Sequence, residues 1–339
     1  MKWVPICIIL FNGVIFFLLP AFQRRNLFFS VPVAEDFPSS DRAKSLLTLY
    51  RLANFAAALL AIGVVFSLNH FEKYMIWLIL AQPAVALGLF AWIRNRIAAT
   101  TTPPPAAVHS ASLAAESPEV RGMWVLMLLP FLILVAAGMY LNAHWEDIPQ
   151  RFPIHFDAAG NPNGWNTKSV KGVYGILLIG GLLQCVLLFF IYGIKNGTRR
   201  AVPGSPRMRF MKVNIWMLII FLWLLGILFG YISLLPVMTS KPAGWLIGAF
   251  TVVVVGISMA FTVYIVKLQG QASDSENTPD SSWIWGGMFY YNPEDPALLV
   301  EKRIGIGYTF NMANRMSWGF FAMVALVVLL PLVLDISAP

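Results

Sequence analysis

Long apolar runs separated by short polar segments make up most of this 339-residue chain. Eight runs are long enough, at about 20 residues per crossing, to span a bilayer once. They are residues 3–20, 46–68, 74–93, 122–141, 172–194, 213–238, 243–266 and 316–334. None shows the strict alternation of a barrel strand, and a spanning segment must pair its backbone polar groups internally, so each run predicts a helix. The predicted class is all-α, a polytopic membrane bundle of about eight helices.

The segments between these runs divide the chain into four regions. Residues 97–119 hold three consecutive prolines among Ala, Ser and Thr without apolar periodicity, which predicts a disordered linker. The linker separates a three-helix region, 1–96, from a membrane domain over 120–266. Residues 267–339 form a long aromatic loop followed by the last helix.

Composition excludes a water-soluble globular protein, because 58% of the residues are hydrophobic, only 12% are charged and the mean hydropathy is +0.70. The net charge is +8, but the cations lie between apolar runs, which indicates membrane orientation and not nucleic-acid binding. With eight spans, one side receives 18 Lys and Arg residues and the other receives six. The basic loops are therefore predicted to be cytoplasmic, with both termini outside.

The predicted spans carry little chemistry. Their only Lys, Arg, Asp or Glu is Arg51, near a span end, and Cys7 and Cys185 are interpreted as small buried hydrophobes. Mid-span amides favour hydrogen bonds between helices over a substrate path; they are Asn12, Asn54, Gln82, Gln184 and Asn214. The pairs Gly226–Gly230 and Gly244–Gly248 have the spacing of close helix contacts. Because catalytic motifs are absent, we expect no enzyme and no cofactor.

The fourth loop, residues 144–171, is the most unusual polar segment. Phe152, Ile154 and Phe156 alternate with other residues, and a run rich in Gly, Asn and Pro follows. This pattern predicts a hairpin-like cap on the outer membrane surface. A metal site is an alternative, because the loop also holds two histidines and three carboxylates, at His144, Glu146, Asp147, His155 and Asp157. Their spacing matches no established site, so turn and interface roles are preferred and no metal is predicted.

The string PIHFDAAGNPNGWNTK, with Trp145 and Pro149 before it, resembles the signature of a bacterial membrane domain of unknown function. That domain also occurs in SdpI-type immunity proteins, which protect the producers of a secreted killing factor. The resemblance covers about residues 122–195 and implies a bacterial multi-pass membrane protein, for which we expect an inner-membrane location. The candidate ligand- or partner-binding residues of this external loop are His155, Asp157, Asn161, Gly164, Trp165 and Lys168.

The seventh loop resembles a second uncharacterised bacterial module through WIWGGMFYYNPEDPALLVEKRIGIGYTFNMAN, residues 283–314. The early string RNLFFSVPVAEDF, followed by Tyr50-Arg51, is similar to the amino-terminal part of the same proteins. Residues 292–296 predict a turn or a helix start. The loop favours a structural or partner-docking role over a nucleotide site. Its candidate residues are Tyr290, Tyr291, Asn292, Pro293, Asp295, Lys302 and Arg303.

These patterns favour a non-catalytic membrane protein with a sensing, immunity or envelope-stress role. The 144–171 loop would meet an external peptide or envelope ligand, and the 267–315 loop would report inward to a cytoplasmic or membrane protein partner. The partners implied are thus the lipid bilayer and protein, with no nucleic acid. The alternative is a transporter or permease for a neutral or lipid-like solute, which the span count and the mid-span amides motivate.

Overall fold

The computed structural model is mostly helical. It describes residues 3–23, 27–67, 75–101, 117–118, 122–156, 162–198, 201–238, 244–272, 278, 280–303 and 307–333. Most of the predicted 97–119 linker lies outside these residues.

Eight α-helices of 16 residues or more lie in the described chain, one on each predicted apolar run. They are α1 Trp3–Leu18, α2 Asp41–Ser67, α3 Met75–Ala98, α4 Met123–Ala143, α5 Val170–Asn196, α6 Pro206–Ser233, α7 Gly244–Ala272 and α8 Arg315–Val333. Four helical stretches have the length and composition to cross a membrane, namely Asp41–Ser67, Met123–Ala143, Val170–Asn196 and Pro206–Val237. The helical class is confirmed, and the count of eight crossings stays a prediction.

Capping residues start two of these helices before their apolar runs begin. Ser169 Oγ accepts a hydrogen bond from Gly172 N (3.0 Å) at the start of α5, and Ser205 Oγ accepts one from Met208 N (3.2 Å) at the start of α6. Pro206 occupies the first turn of α6, where its missing N–H costs nothing. Helix α6 therefore begins seven residues before the apolar run at 213, because the cap and not the hydrophobicity sets the boundary.

Short two-stranded sheets occupy the loops. The predicted all-α class did not include these sheets. The pairs are β1 Leu27–Phe28 with β2 Val31–Pro32, β3 Arg151–Phe156 with β4 Pro162–Thr167, β5 Trp283–Ile284 with β6 Phe289–Tyr290, and β7 Leu299–Glu301 with β8 Tyr308–Phe310. The sequence predicts only the β3–β4 hairpin among them.

The chain folds as two compact units. The first contains residues 1–112, 266–294 and 300–312, and the second contains 113–265, 295–299 and 313–339.

In the first unit, a buried aromatic cluster joins the β1–β2 turn to α2 and α3. Phe29 meets Tyr50 and Phe90 with ring centroids 5.3 and 4.8 Å apart. Phe29 and Ser30 form the turn with φ of 47° and 67°, a left-handed conformation that non-glycine residues adopt only under strain.

In the second unit, α4, α5 and α6 pack against one another, and α8 packs on α5. The predicted close contact at Gly226 and Gly230 is present. A Cβ on Gly226 would lie 3.0 Å from Pro130 O, and one on Gly230 would lie 2.8 Å from Ile133 Cγ2. These two glycines therefore let α6 approach α4 closely. The surroundings of Gly244 and Gly248 lie outside the described side chains.

The polar mid-span amides bond mainly to helix backbone. Gln184 Nε2 donates to Leu222 O (3.4 Å) and so joins α5 to α6. Gln82 joins α3 to α1 when its amide is oriented to donate to Ile9 O (3.0 Å) and accept from Gly13 N (3.1 Å). Asn54 and Asn214 instead donate within their own helices, each to the carbonyl four residues before it. The predicted bonds between helices are therefore present at Gln184 and Gln82, whereas the bonds that Asn54 and Asn214 donate stay within their own helices.

A proline inside α4 creates one further bond between helices. Pro130 has no N–H to donate to the carbonyl of Leu126, four residues earlier. The indole Nε1 of Trp223, on α6, donates to that oxygen at 3.0 Å. A side chain of the neighbouring helix thus replaces the missing backbone donor.

Replacing Trp223 by Phe should destabilise the protein by about 1 kcal/mol, because the Leu126 carbonyl loses its donor in an apolar environment. In a Pro130→Ala background residue 130 regains its N–H, so the same replacement should cost close to nothing. Unfolding in mixed dodecyl maltoside and SDS micelles measures this coupling through a double-mutant cycle. An equal cost in both backgrounds would contradict the assignment.

Candidate functional site at the two ends of α5

The fourth loop folds as the predicted hairpin. Strand β3 pairs antiparallel with β4, and the register places Arg151 opposite Thr167, Pro153 opposite Trp165 and His155 opposite Gly164. The register shifts between Pro153 and His155 and again before Phe156. Proline has no donor for the ladder, which accounts for an irregularity beginning there.

An apolar cluster fixes the hairpin to the helix ends. Phe152 is buried with Leu141 at the end of α4, Ile148 in the loop and Val173 in the first turn of α5. Ile154, on the same face of β3, packs partly buried against this cluster. The alternation that predicted one apolar face is therefore confirmed at Phe152 and Ile154. The hairpin rests on α4 and α5.

Lys168 holds the two ends of the loop together. Its side chain is 10% exposed, its Nζ lies 3.7 Å from Glu146 Oε2, and it stands 5.6 Å from the ring centroid of Trp145. Its backbone N donates to Gln150 O at 2.9 Å. Glu146 is almost fully exposed, so the ion pair adds little to the stability of the loop. Its main effect is to fix the position of the Lys168 side chain. Lys168 is thus a positioning residue.

The remaining predicted residues of this loop divide into two groups. Gly164 is buried, whereas Trp165 is 42% exposed and lies under the Arg151 guanidinium, 5.2 Å from carbon to ring centroid. The His155 side chain, Asp157 and Asn161 lie outside the described part. His144 stacks on Tyr140 at 4.1 Å, within its own helix end. Among the described residues no three His, Cys, Asp or Glu side chains converge.

Residues 292–296, which the structure describes in full, form the predicted turn and not a helix start. Asn292 Oδ1 accepts from Glu294 N and Asp295 Oδ1 accepts from Ala297 N, each at 3.0 Å. Such side-chain caps favour consecutive tight turns. Pro293 and Glu294 form the turn, and strand β7 follows five residues later. Asn311 holds the turn by accepting from Asn292 N (3.0 Å) and donating to Asn292 O (2.9 Å).

The candidate aromatic and basic residues of this loop are mostly structural. Tyr290 is fully buried and meets Trp283 edge to face at 5.1 Å. Arg303, 4% exposed, stands 5.0 Å from the same indole ring, and its Nη2 donates to Thr278 O at 2.5 Å. Its Nη1 donates to the strained turn at Ser30 O, at 3.5 Å.

Two other candidates remain near the surface of the loop. Tyr291 and Pro293 are exposed. Lys302 is partly buried, and this burial lowers its pKa from the ordinary 10.5. Of the candidate residues of this loop, Tyr291 and Pro293 are therefore the ones accessible to a partner.

A leucine pair of the same loop clasps the far end of α5. The backbone N–H groups of Leu298 and Leu299 both donate to Gly197 O, at 2.6 and 3.0 Å. A Cβ on Gly197 would lie 2.6 Å from Leu298 Cβ, and one on Gly193 would lie 2.8 Å from Leu299 Cδ1. Only glycine leaves room for this contact, which we call the leucine clasp. The sequence analysis missed it, although Gly193 and Gly197 have the same spacing as Gly226 and Gly230.

Helix α5 therefore has a structured segment at each end. Val173 lies in the hairpin cluster and Gly197 in the leucine clasp. The distance along the helix from Val173 to Gly197 is about 36 Å, a little more than the apolar thickness of a bilayer. One continuous helix links the hairpin to Leu298 and Leu299.

Both segments fall within family models. Residues 123–180 match a domain of unknown function, DUF1648, and residues 293–318 match a family of unknown function, DUF5808. The first match contains α4, the hairpin and the beginning of α5, and the second contains Leu298 and Leu299 of the leucine clasp. The predicted resemblance is confirmed as two domains of unknown function. No curated protein and no solved structure matches this chain.

Proposed function

We propose that this protein is a non-catalytic sensor or immunity protein of the bacterial inner membrane. The hairpin receives an external ligand, α5 carries the change across the membrane, and the seventh loop presents it to a protein partner. The observation that carries this proposal is the pair of contacts at the ends of α5, the Phe152 cluster and the leucine clasp.

The orientation follows from the charges. The excess of Lys and Arg lies in the loops on the side of the leucine clasp, and cations favour the cytoplasmic side. The hairpin then faces outward, both termini lie outside, and the described helices belong to a multi-pass bundle.

The surface of the hairpin suits a peptide. The exposed Trp165 ring and the Arg151 guanidinium above it offer an apolar face beside a cation. Aromatic and arginine side chains of this kind are enriched in protein recognition sites. The resemblance to SdpI-type immunity proteins supports a secreted antibacterial peptide as the ligand class.

Changing the hairpin residues His155, Asp157 and Trp165, of which Trp165 is exposed, to Ala should preserve insertion and abolish the protection or stress response that the protein confers. Gly193→Leu should also abolish it, because the new side chain displaces Leu299 from α5. Gly181→Leu is the matched control, since a Cβ there meets no atom within 4 Å. Survival of an expressing strain against secreted antibacterial peptides, with an envelope-stress reporter, provides the readout.

Two results would contradict the proposal. Loss of the triple variant from the membrane would show that the hairpin is needed for folding or insertion and not for ligand binding. An unchanged response in Gly193→Leu would show that the leucine clasp transmits nothing. Proton-driven solute uptake in proteoliposomes would instead support the transporter alternative.

The orientation has its own test, in a chain lacking Cys7 and Cys185. A cysteine at the exposed Thr167 should react with an impermeant maleimide while the inner membrane is intact. A cysteine at the exposed Val202 should react only after that membrane is opened. The reverse pattern would place the hairpin in the cytoplasm and remove the external ligand.

A further inference from the structure

An open cleft of about 390 Å³ lies between the start of α4 and the end of α5. Its apolar part is formed by Met127, Leu188 and Ile191, and its outer part by Trp124, Tyr192 and Lys195. Along α5 the lining extends from residue 188 to residue 196, about 12 Å of helix. The cleft is thus apolar toward the middle of the helices and polar at their ends.

The polar end of the cleft is positive. Lys195 is the charged residue among those lining it, and no Asp or Glu lies among them. Gly122 and Trp124, the N-cap and second residue of α4, also line it, and no side chain caps this helix start. The free amides of the first turn therefore add partial positive charge beside Lys195.

Helix α5 ends at this point with the negative end of its dipole, which Lys195 in the last turn offsets in part. Its terminal carbonyls already accept hydrogen bonds: Gly193 O from Gly197 N (2.8 Å), Ile194 O from Thr198 Oγ1 (2.7 Å) and Gly197 O from the leucine clasp. An anion at the cleft therefore meets Lys195 and the uncapped start of α4, beside an end of α5 at which three carbonyls already have donors.

We propose that this cleft binds one anionic phospholipid, with its phosphate at Lys195 and the start of α4 and an acyl chain along Met127 and Leu188. Charge complementarity and the apolar-to-polar gradient select this occupant. Exposed Trp124 and Tyr192 provide the aromatic contacts typical of the headgroup level of a bilayer. The site is independent of the proposed sensing role.

The experiment titrates the full-length purified protein in detergent with phosphatidylglycerol and with phosphatidylcholine of the same acyl chains, using native mass spectrometry. Phosphatidylglycerol should bind about five-fold more tightly, the effect of one Lys near an anionic headgroup. Lys195→Gln should remove this preference and Lys195→Arg should retain it. Lys171→Gln, which removes an exposed Lys from the first turn of the same helix, is the matched control and should retain it.

A second measurement locates the lipid. Phosphatidylglycerol with brominated acyl chains should quench a tryptophan component that is missing from Trp124→Phe. Equal affinities for the two lipids, an unchanged preference in Lys195→Gln, or an equal loss in Lys171→Gln would overturn the proposal. Identical quenching of Trp124→Phe and the wild type would overturn it as well. If millimolar inorganic phosphate displaced phosphatidylglycerol, the site would bind a soluble anion. That result would also overturn the proposal of a phospholipid site.

Discussion

Gly226→Leu is expected to cost about 3 kcal/mol of unfolding free energy, the upper part of the range for overpacked cores. A Cβ at this position would lie 2.9 Å from Gln184 Nε2, 3.0 Å from Pro130 O and 3.1 Å from Pro130 Cβ. Two of these atoms belong to the rigid proline turn of α4, which cannot rotate away. The new side chain therefore separates α6 from α4 and should weaken the Gln184 bond as well.

Gly181→Leu provides the comparison, because it adds the same side chain to an apolar helix where a Cβ meets no atom within 4 Å. It should change the unfolding free energy by less than about 0.5 kcal/mol. Unfolding in mixed dodecyl maltoside and SDS micelles, followed by tryptophan fluorescence, measures both variants. Equal stabilities of the two variants would show that α4 and α6 are not in close contact at Gly226.

Arg303→Met should destabilise the first unit by about 3 kcal/mol, because it leaves the carbonyls of Thr278 and Ser30 without their charged donor. The methionine keeps most of the apolar stem over Trp283. Loss of the donor should also release the strained Phe29–Ser30 turn. Limited proteolysis of the membrane-embedded protein should therefore cut faster between residues 27 and 32.

The adjacent Lys302 is the control for this change. Burial lowers its pKa below 10.5, so the folded protein disfavours its charge. Between the lowered pKa and 10.5 the unfolded chain binds more protons, and stability contributed by this group rises with pH. Lys302→Met should therefore remove that pH dependence without lowering stability at neutral pH. A loss equal to that of Arg303→Met would mean that the loop tolerates no change at either position.

The sequence predicted the helices and the hairpin because each has a local signal. Eight apolar runs mark α1 to α8, and the alternation of Phe152 and Ile154 marks β3. The leucine clasp has no comparable local signal, since Leu298 and Leu299 contact residues about 100 positions earlier in the chain. Arg303 shows the same limit: the sequence places it beside Lys302 in a polar loop, and its bonds to the distant Ser30 and Thr278 carbonyls help to explain its burial.

The glycine spacing at the end of α5 restricts how that helix can move. A rotation by one residue, about 100°, would bring Ile194 and Thr198 to the positions of Gly193 and Gly197. Their side chains would occupy the space that Leu298 and Leu299 fill, so rotation is blocked while the leucine clasp is closed. A small displacement along the helix axis keeps the glycines facing the leucines and, at the leucine clasp, stretches the two bonds to Gly197 O. The leucine clasp thus opposes rotation of α5 more strongly than a small axial displacement, which is the direction of movement that the proposed function requires of this helix.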